Sequence, residues 1–410
     1  IGIIYIVKAA KKRKYQKYLH PNDVIGDMVD RVAEFDEIAR VSYRQPAESE
    51  EAEKFVPEPE EEEEAKEEEA VVEEFKTYDS SFSASSASER KITAEVSLNE
   101  MCANFRAFAR SKGITVELSS TRALFAAISA SKIVMLDTKN RDLLPAFLDV
   151  LAEYFGCGGY MAAEDGWSAP ENLLWQAEED KYVTSVFANA VYAASTQSEK
   201  SCIALLSEVN PENVRGYFRD FIAYALYPSE EHTLVLNEEL SLRLPDNICY
   251  ILVPKQDGAE ELPVELAHAS MCIEAVISKA EEVGEETEIK SVSAKETAEL
   301  VREAREKFFL SEKIWKRIDE LAETVSAKEH FFIGNKNTLQ LEKLTAVLME
   351  CGADESEAFQ TVFTAKLVPL LRLLNTYKEE GGDKTVFGII EKLFAEEDVS
   401  RIKKQLVHGA

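Results

Sequence analysis

The sequence predicts an α/β domain with helices on both sides of a mainly parallel sheet, then an all-α domain, with a disordered acidic linker in front. Three observations carry this. Apolar strand-like runs at 132–136, 202–206 and 248–253 alternate with amphipathic helices, the pattern of a three-layer α/β fold. After about residue 290 the strand-like runs stop while helical periodicity continues. Residues 46–90 are too acidic, proline-interrupted and Ser-rich to bury a core.

Taken in order, Leu98, Met101, Cys102, Phe105, Phe108 and Ala109 recur at helical spacing and predict a helix over 98–111, with Ser97 and Glu100 forming a capping box. A second helix is expected over 121–130, then a buried strand from Lys132 to Leu136 and a turn over 137–141. A third helix over 142–155 carries Leu143, Leu144, Phe147, Leu148, Leu151 and Phe155 on one side. Strands follow at Cys202–Leu206 and Ile248–Val253, with a helix bearing Tyr217, Phe218, Phe221, Ile222 and Ala225 between them. This α/β domain spans 97–285. The all-α domain, 290–410, reads as helices at 294–309, 311–325, 338–350 and 355–375 and a short one near 384–394. No fixed-period repeat is visible.

The chain has 410 residues, 45% of them hydrophobic, and a net charge of -29 from 76 acidic and 47 basic side chains. This acidity argues against a protein that coats nucleic acid, which needs a basic footprint. Six cysteines without CxxC spacing read as buried thiols in a reducing compartment, and five scattered histidines give no zinc pattern, so no metal site is expected.

The charge is unevenly placed. Residues 1–17 hold Lys8, Lys11, Lys12, Arg13, Lys14 and Lys17 and no acid, a net of +6, directly after the apolar run Ile3–Val7. Apolar residues followed by a basic cluster are how a helix leaves a membrane on its cytoplasmic side, so 1–17 is expected to be the end of a single transmembrane helix with its juxtamembrane segment. A short buried strand or helix start is the alternative. The folded domains would then be cytoplasmic. Residues 18–45 are expected to form a short helical segment. Residues 48–74 hold fifteen Glu and two Lys, a net of -13. The linker of which they are part, 46–90, would span on the order of 40 Å, as a tether or simply as a solvated spacer.

The element order carries a resemblance. The strand ASKIVMLD, its following turn and the helix LLPAFLDVLAEYF resemble the first strand, phosphate loop and helix of an AAA+ ATPase, in the restriction-NTPase-like branch with a GxSGTGKTSLP loop. CIALLSEVN at 202–210 resembles that branch's Walker B strand, LRLPDNICYILVP at 242–254 the strand leading to sensor 1, and FFIGNKNTLQLEKLTAVLMECGADESEAF at 331–359 the helical lid. The resemblance covers about 97–395 and implies a P-loop-type sheet domain followed by a lid.

The departures bear on function. A phosphate loop works through glycines that let backbone N–H groups wrap the phosphates, a Lys that reaches them, and a Ser/Thr that holds Mg²⁺. The corresponding stretch, LDTKNRDLLP, has no glycine, and Asp142 stands where the Ser/Thr would be. An acid there would itself satisfy the helix N-terminus, so the loop is expected to be closed and self-capped. The Mg²⁺-supporting Asp of Walker B is Ser207. By resemblance Glu208 keeps the place of the water-orienting Glu, and Asn210, Lys139, Arg141 and Lys336 stand at vestigial nucleotide-site positions. Lys255 or Gln256 replaces the sensor-1 Asn, and the family's arginine before the last strand falls near Ala269. The resemblance therefore implies a degenerate member with no cofactor. ATP and Mg²⁺ enter only if the chain is a divergent active ATPase.

Other features have ordinary explanations beside functional ones. Gly156, Gly158 and Gly159 read as a helix C-cap rather than a phosphate site. Trp167 and Trp175 read as packing residues, unless an exposed pair marks a partner surface. His232, His268 and His330 have no recognisable nucleophile beside them. Three readings remain: a membrane-tethered scaffold or regulatory subunit, partnering a protein such as an active AAA+ relative; a divergent ATPase; and a monomeric protein-binding module.

Overall fold

The computed structural model describes residues 77–79, 96–178, 181–228, 233–235, 241–255, 262–290, 293–326, 335–374 and 385–408. The expectations for 1–17, 18–45 and most of 46–90 lie outside these residues. Within 46–90, however, Thr77–Asp79 forms a strand, β1, where an unstructured linker was expected. The reason is local: the Glu run ends at Glu74, and a β-branched and an aromatic residue at Thr77 and Tyr78 suit an extended edge.

The helix α1 spans Leu98–Ser111 as the periodicity predicts, and the Ser97–Glu100 capping box is formed in both directions. It leads through β2 (Ile114–Val116) and α2 (Leu118–Ala130) to β3 (Ile133–Asp137). A 3₁₀ turn over Arg141–Leu143 then opens α3 (Leu144–Phe155). Next come β4 (Met161–Ala162), α4 (Pro170–Leu174), the hairpin β5 (Trp175–Glu178) and β6 (Lys181–Thr184), α5 (Val186–Thr196) and β7 (Cys202–Val209). The single helix expected around Tyr217 is two, α6 (Val214–Tyr217) and α7 (Arg219–Leu226), broken at Phe218. The short strands β8 (Thr233–Val235) and β9 (Ser241–Arg243) precede β10 (Ile248–Pro254). Then α8 (Val264–Ala269), β11 (Ser270–Glu274) and β12 (Ile277–Lys279) complete this half.

The main sheet has five parallel strands in the order β11-β3-β10-β7-β4. β3 and β10, flanked by strands on both sides, are buried along nearly their whole length, which is why they read as unbroken apolar runs rather than alternating ones. Tyr250 on β10 stacks with Phe187 and meets Phe218 and Phe221 edge-on, fixing α5 and α7 against the sheet. A separate sheet joins β1, β6 and β5, with β1 running parallel to β6. At the start of α5, buried Ser185 accepts from the Ala188 N–H at 3.0 Å and donates to the Leu173 carbonyl at 2.6 Å. Ser185→Ala should therefore cost about 1–2 kcal/mol in urea unfolding, the upper range for an N-cap.

Strands give way to helices at α9 (Ala294–Lys307), α10 (Glu312–Ser326), α11 (Asn335–Glu350) and α12 (Glu355–Val362). The long helix expected over 355–375 is interrupted by a π-helical turn, Phe363–Leu367, before α13 (Val368–Arg372). α14 (Val386–Leu393) and α15 (Glu396–His408) end the described chain. Residues 74–410 form one compact unit, and the helices share a continuous hydrophobic cluster with the sheet half. Arg122 of α2 donates to the Cys351 carbonyl at 2.8 Å and pairs with Glu357 at 3.0 Å. The buried thiols Cys102 and Cys351 meet at 3.6 Å between α1 and the end of α11. That contact, with burial, holds the Cys102 thiol well above its ordinary pKa, so its sulfur stays protonated and inert.

Candidate functional site

In an open parallel sheet, ligands bind beyond the carboxyl ends of the strands where successive connections leave in opposite directions. From β3 the chain runs past β10 and β7 to β4. From β10 it runs the other way, past β3 to β11. The switch point is thus between β3 and β10, and the turn expected over 137–141 lies on it.

This point is filled from within. Arg141 donates to the Pro254 carbonyl at 2.9 Å and pairs with the Asp137 carboxylate, so its guanidinium bridges the ends of both strands. The pair is largely sheltered, with side chains 20% and 22% exposed. Asp137 also accepts from the Thr138 N–H at 2.7 Å. The loop is closed, but not in the way the sequence predicts: the turn that opens α3 has no side-chain cap. Asp142 leaves the helix N-terminus uncapped because Arg141–Leu143 forms a 3₁₀ turn ahead of it, satisfied by main-chain bonds such as Leu143 N–H to Asn140 at 3.2 Å. Lys139 is 83% exposed and pairs with Glu274 at 2.7 Å, a contact worth little in water.

At the end of β7, buried Ser207 donates to the Met161 carbonyl at 3.3 Å. Glu208 is exposed and holds φ +54, a left-handed conformation uncommon outside glycine. The Asn210 side chain accepts from the Glu212 N–H at 2.9 Å, and its carbonyl accepts from Asn213 and Val214, so it builds the turn into α6. Lys255 pairs with Asp165 at 2.9 Å. Lys336 lies in the first turn of α11, and its side chain is outside the described residues.

A cavity of about 420 Å³ lies over these strand ends, lined on its other side by α12, the π turn, α13 and α15. Lys139, Arg141 and Lys255 line it; Glu208 and Asn210 do not. The structure thus gathers Lys139, Arg141 and Lys255 and separates them from Glu208 and Asn210. The helical wall, with Gln360, Arg372 and Gln405, was not foreseen. Its only sequence signal was polar residues interrupting the apolar faces of terminal helices. Among the described residues no group of three or more His, Cys, Asp and Glu is placed to hold a metal.

Gly156 is the left-handed C-cap of α3, φ +64, as its position after that helix predicts. Trp167 is buried edge-on against Tyr217, a packing role. His268 accepts from the Asn337 side chain at 3.2 Å through Nδ1 in its neutral form. Burial, and then the nearby Lys366 ammonium, hold its pKa below the ordinary 6.5. The unfolded chain therefore takes up a proton first. Stability should fall as pH falls through about 6.5, and the loss should level off below the folded-state value. Urea midpoints measured across this range should fall less steeply in His268→Gln.

The chain matches no protein-family model, and no curated protein matches it. Among solved structures it is similar to that of a candidate ATPase from Cytophaga hutchinsonii ATCC 33406, at 13% identity over 64% of this chain and 87% of that chain, with a TM-score of 0.39.

Proposed function

We propose that this chain is a membrane-tethered, catalytically degenerate AAA+-like protein that acts as a scaffold or regulatory subunit for a protein partner and does not turn over ATP. The observation that carries the reading is Arg141. A cation that would meet phosphate in a working site is here turned inward, bonded to the Asp137 carboxylate and the Pro254 carbonyl. Opening the crevice would break a charge-assisted hydrogen bond of roughly 1.5–3 kcal/mol, so a nucleotide would lose about tenfold or more in affinity before making any contact. The loop also offers no glycine to bring backbone donors onto a phosphate. Ser207 is engaged with a main-chain carbonyl and is no carboxylate for a metal. A Glu208 without metal or positioned phosphate has nothing to activate.

The tether rests on the apolar run and +6 cluster of 1–17. Among the described residues no helix is long and apolar enough to cross a membrane. A scaffold needs only the fold and its surfaces, which the continuous core supplies without nucleotide.

Equilibrium titration with a fluorescent ATP analogue, with and without Mg²⁺, should show no saturable binding up to millimolar concentration. Sub-millimolar, Mg²⁺-dependent binding that is lost in Lys139→Ala or Arg141→Ala would overturn the reading in favour of a divergent ATPase.

A further inference from the structure

We propose that the cavity over the ends of β3 and β11 binds a small organic carboxylate, with Arg372 as its anchor. The inference rests on the closed phosphate loop proposed above and goes beyond it.

At about 420 Å³ the cavity has the size of a small-molecule site. Its charged groups separate into two sets. At the strand ends the charges are matched: Asp137 by Arg141, Glu274 by Lys139, Lys255 by Asp165. On the helical wall Glu357 is held by Arg122, and Arg401 faces Asp398 at 3.4 Å. Arg372, at the end of α13, is different. It is half-buried, lines the cavity and makes no ion pair or hydrogen bond among the described residues. Two further groups on the same wall are unsatisfied: the Gln360 amide nitrogen and the Gln405 amide oxygen are buried without hydrogen-bond partners. Buried polar atoms nearly always find partners, and these two carry almost no accessible surface, so it is the unpaired guanidinium of Arg372 that gives this wall the chemistry of a recognition surface.

The ligand class follows from the same groups. A planar guanidinium fork matches the two oxygens of a carboxylate. A polyphosphate would need several uncommitted cations or a cradle of backbone N–H groups: Lys139, Arg141, Lys255 and Arg401 each already face a carboxylate, and the loop has no glycine. Exposed Glu117, also lining the cavity and without an ion pair among the described residues, adds repulsion that a polyanion would feel most. One carboxylate on a small organic body fits this set.

The test uses the full chain and saturation-transfer NMR with propionate, hexanoate, benzoate and glutamate, with inorganic phosphate and ATP run in parallel. At least one carboxylate should bind saturably. That affinity should drop about tenfold or more in Arg372→Gln, and also in Arg372→Lys, which keeps the charge but loses the fork. It should be unchanged in Arg302→Gln on the exposed face of α9. Thermal melts establish that each variant is folded. Saturation by none of the four, binding that survives Arg372→Gln, or phosphate binding tighter than every carboxylate overturns the inference. Saturable ATP binding would instead count against the closed loop, so the two failures are distinguishable.

Discussion

Lys366→Met should lower stability by about 3 kcal/mol, with a matching fall in urea midpoint and no change in far-UV circular dichroism at low denaturant. Lys366 lies in the π turn and is fully buried, 0% exposed. Its ammonium donates to three main-chain carbonyls: Ala267 at 3.2 Å, His268 at 2.7 Å and Ser270 at 3.0 Å. Two of these belong to the last turn of α8, where carbonyls have no partner within the helix and the dipole favours a cation. Methionine fills the same volume but donates nothing, so three buried acceptors lose their partner at once. Removing the buried charge recovers only part of that cost, since ammonium desolvation is already offset by the three bonds. Lys366→Ala should cost more, because it adds a cavity. A loss below roughly 0.5 kcal/mol in Lys366→Met would show that the carbonyls are satisfied another way.

Gly216→Ala should be nearly as severe, at about 3 kcal/mol. An added Cβ would fall within 2.8 Å of the Ser168 carbonyl carbon and closer still to its oxygen. The obstacle is backbone, so no rotamer change relieves it. The whole segment around Ser168 must move away from α6, which would separate Trp167 from the Tyr217 ring it meets at 5.5 Å. A changed tryptophan emission together with the lost stability would report this movement. Full stability in the variant would mean that the two backbones separate without cost.

The parts of the fold that were legible in the sequence are those set by local patterns. The α1 helix follows from its capping box and apolar spacing, and β3, β7 and β10 follow from short apolar runs. The helix after the switch-point turn was also placed correctly. What was not legible depends on main-chain partners far away in sequence. Arg141 reads as a vestigial phosphate ligand because nothing in LDTKNRDLLP shows that a carbonyl 113 residues later will accept its proton. Lys366 was absorbed into one long helix for the same reason: all three acceptors are main-chain atoms. Asp142 failed as a cap because a 3₁₀ turn, set by the local chain path, came before the α-helix. β11, SMCIE, lacks the unbroken apolar run that marks the equally short β3, IVMLD, because Ser270 and Glu274 stand at its ends and Cys272 at its middle.

The strand β1 sets a length scale for whatever precedes it. It is held to β6 along only three residues, Thr77–Asp79 against Lys181–Val183, in parallel pairing, the weaker kind per residue. Eighteen residues separate its end from the start of α1 at Leu98. Eighteen residues correspond to about 60 Å of contour at full extension, so loss of β1 would move the point of attachment along the chain by at most that length. The folded unit would keep its core, since the rest of the chain supplies it. The three-residue pairing is thus, among the described residues, the first contact that a load on the preceding chain would meet.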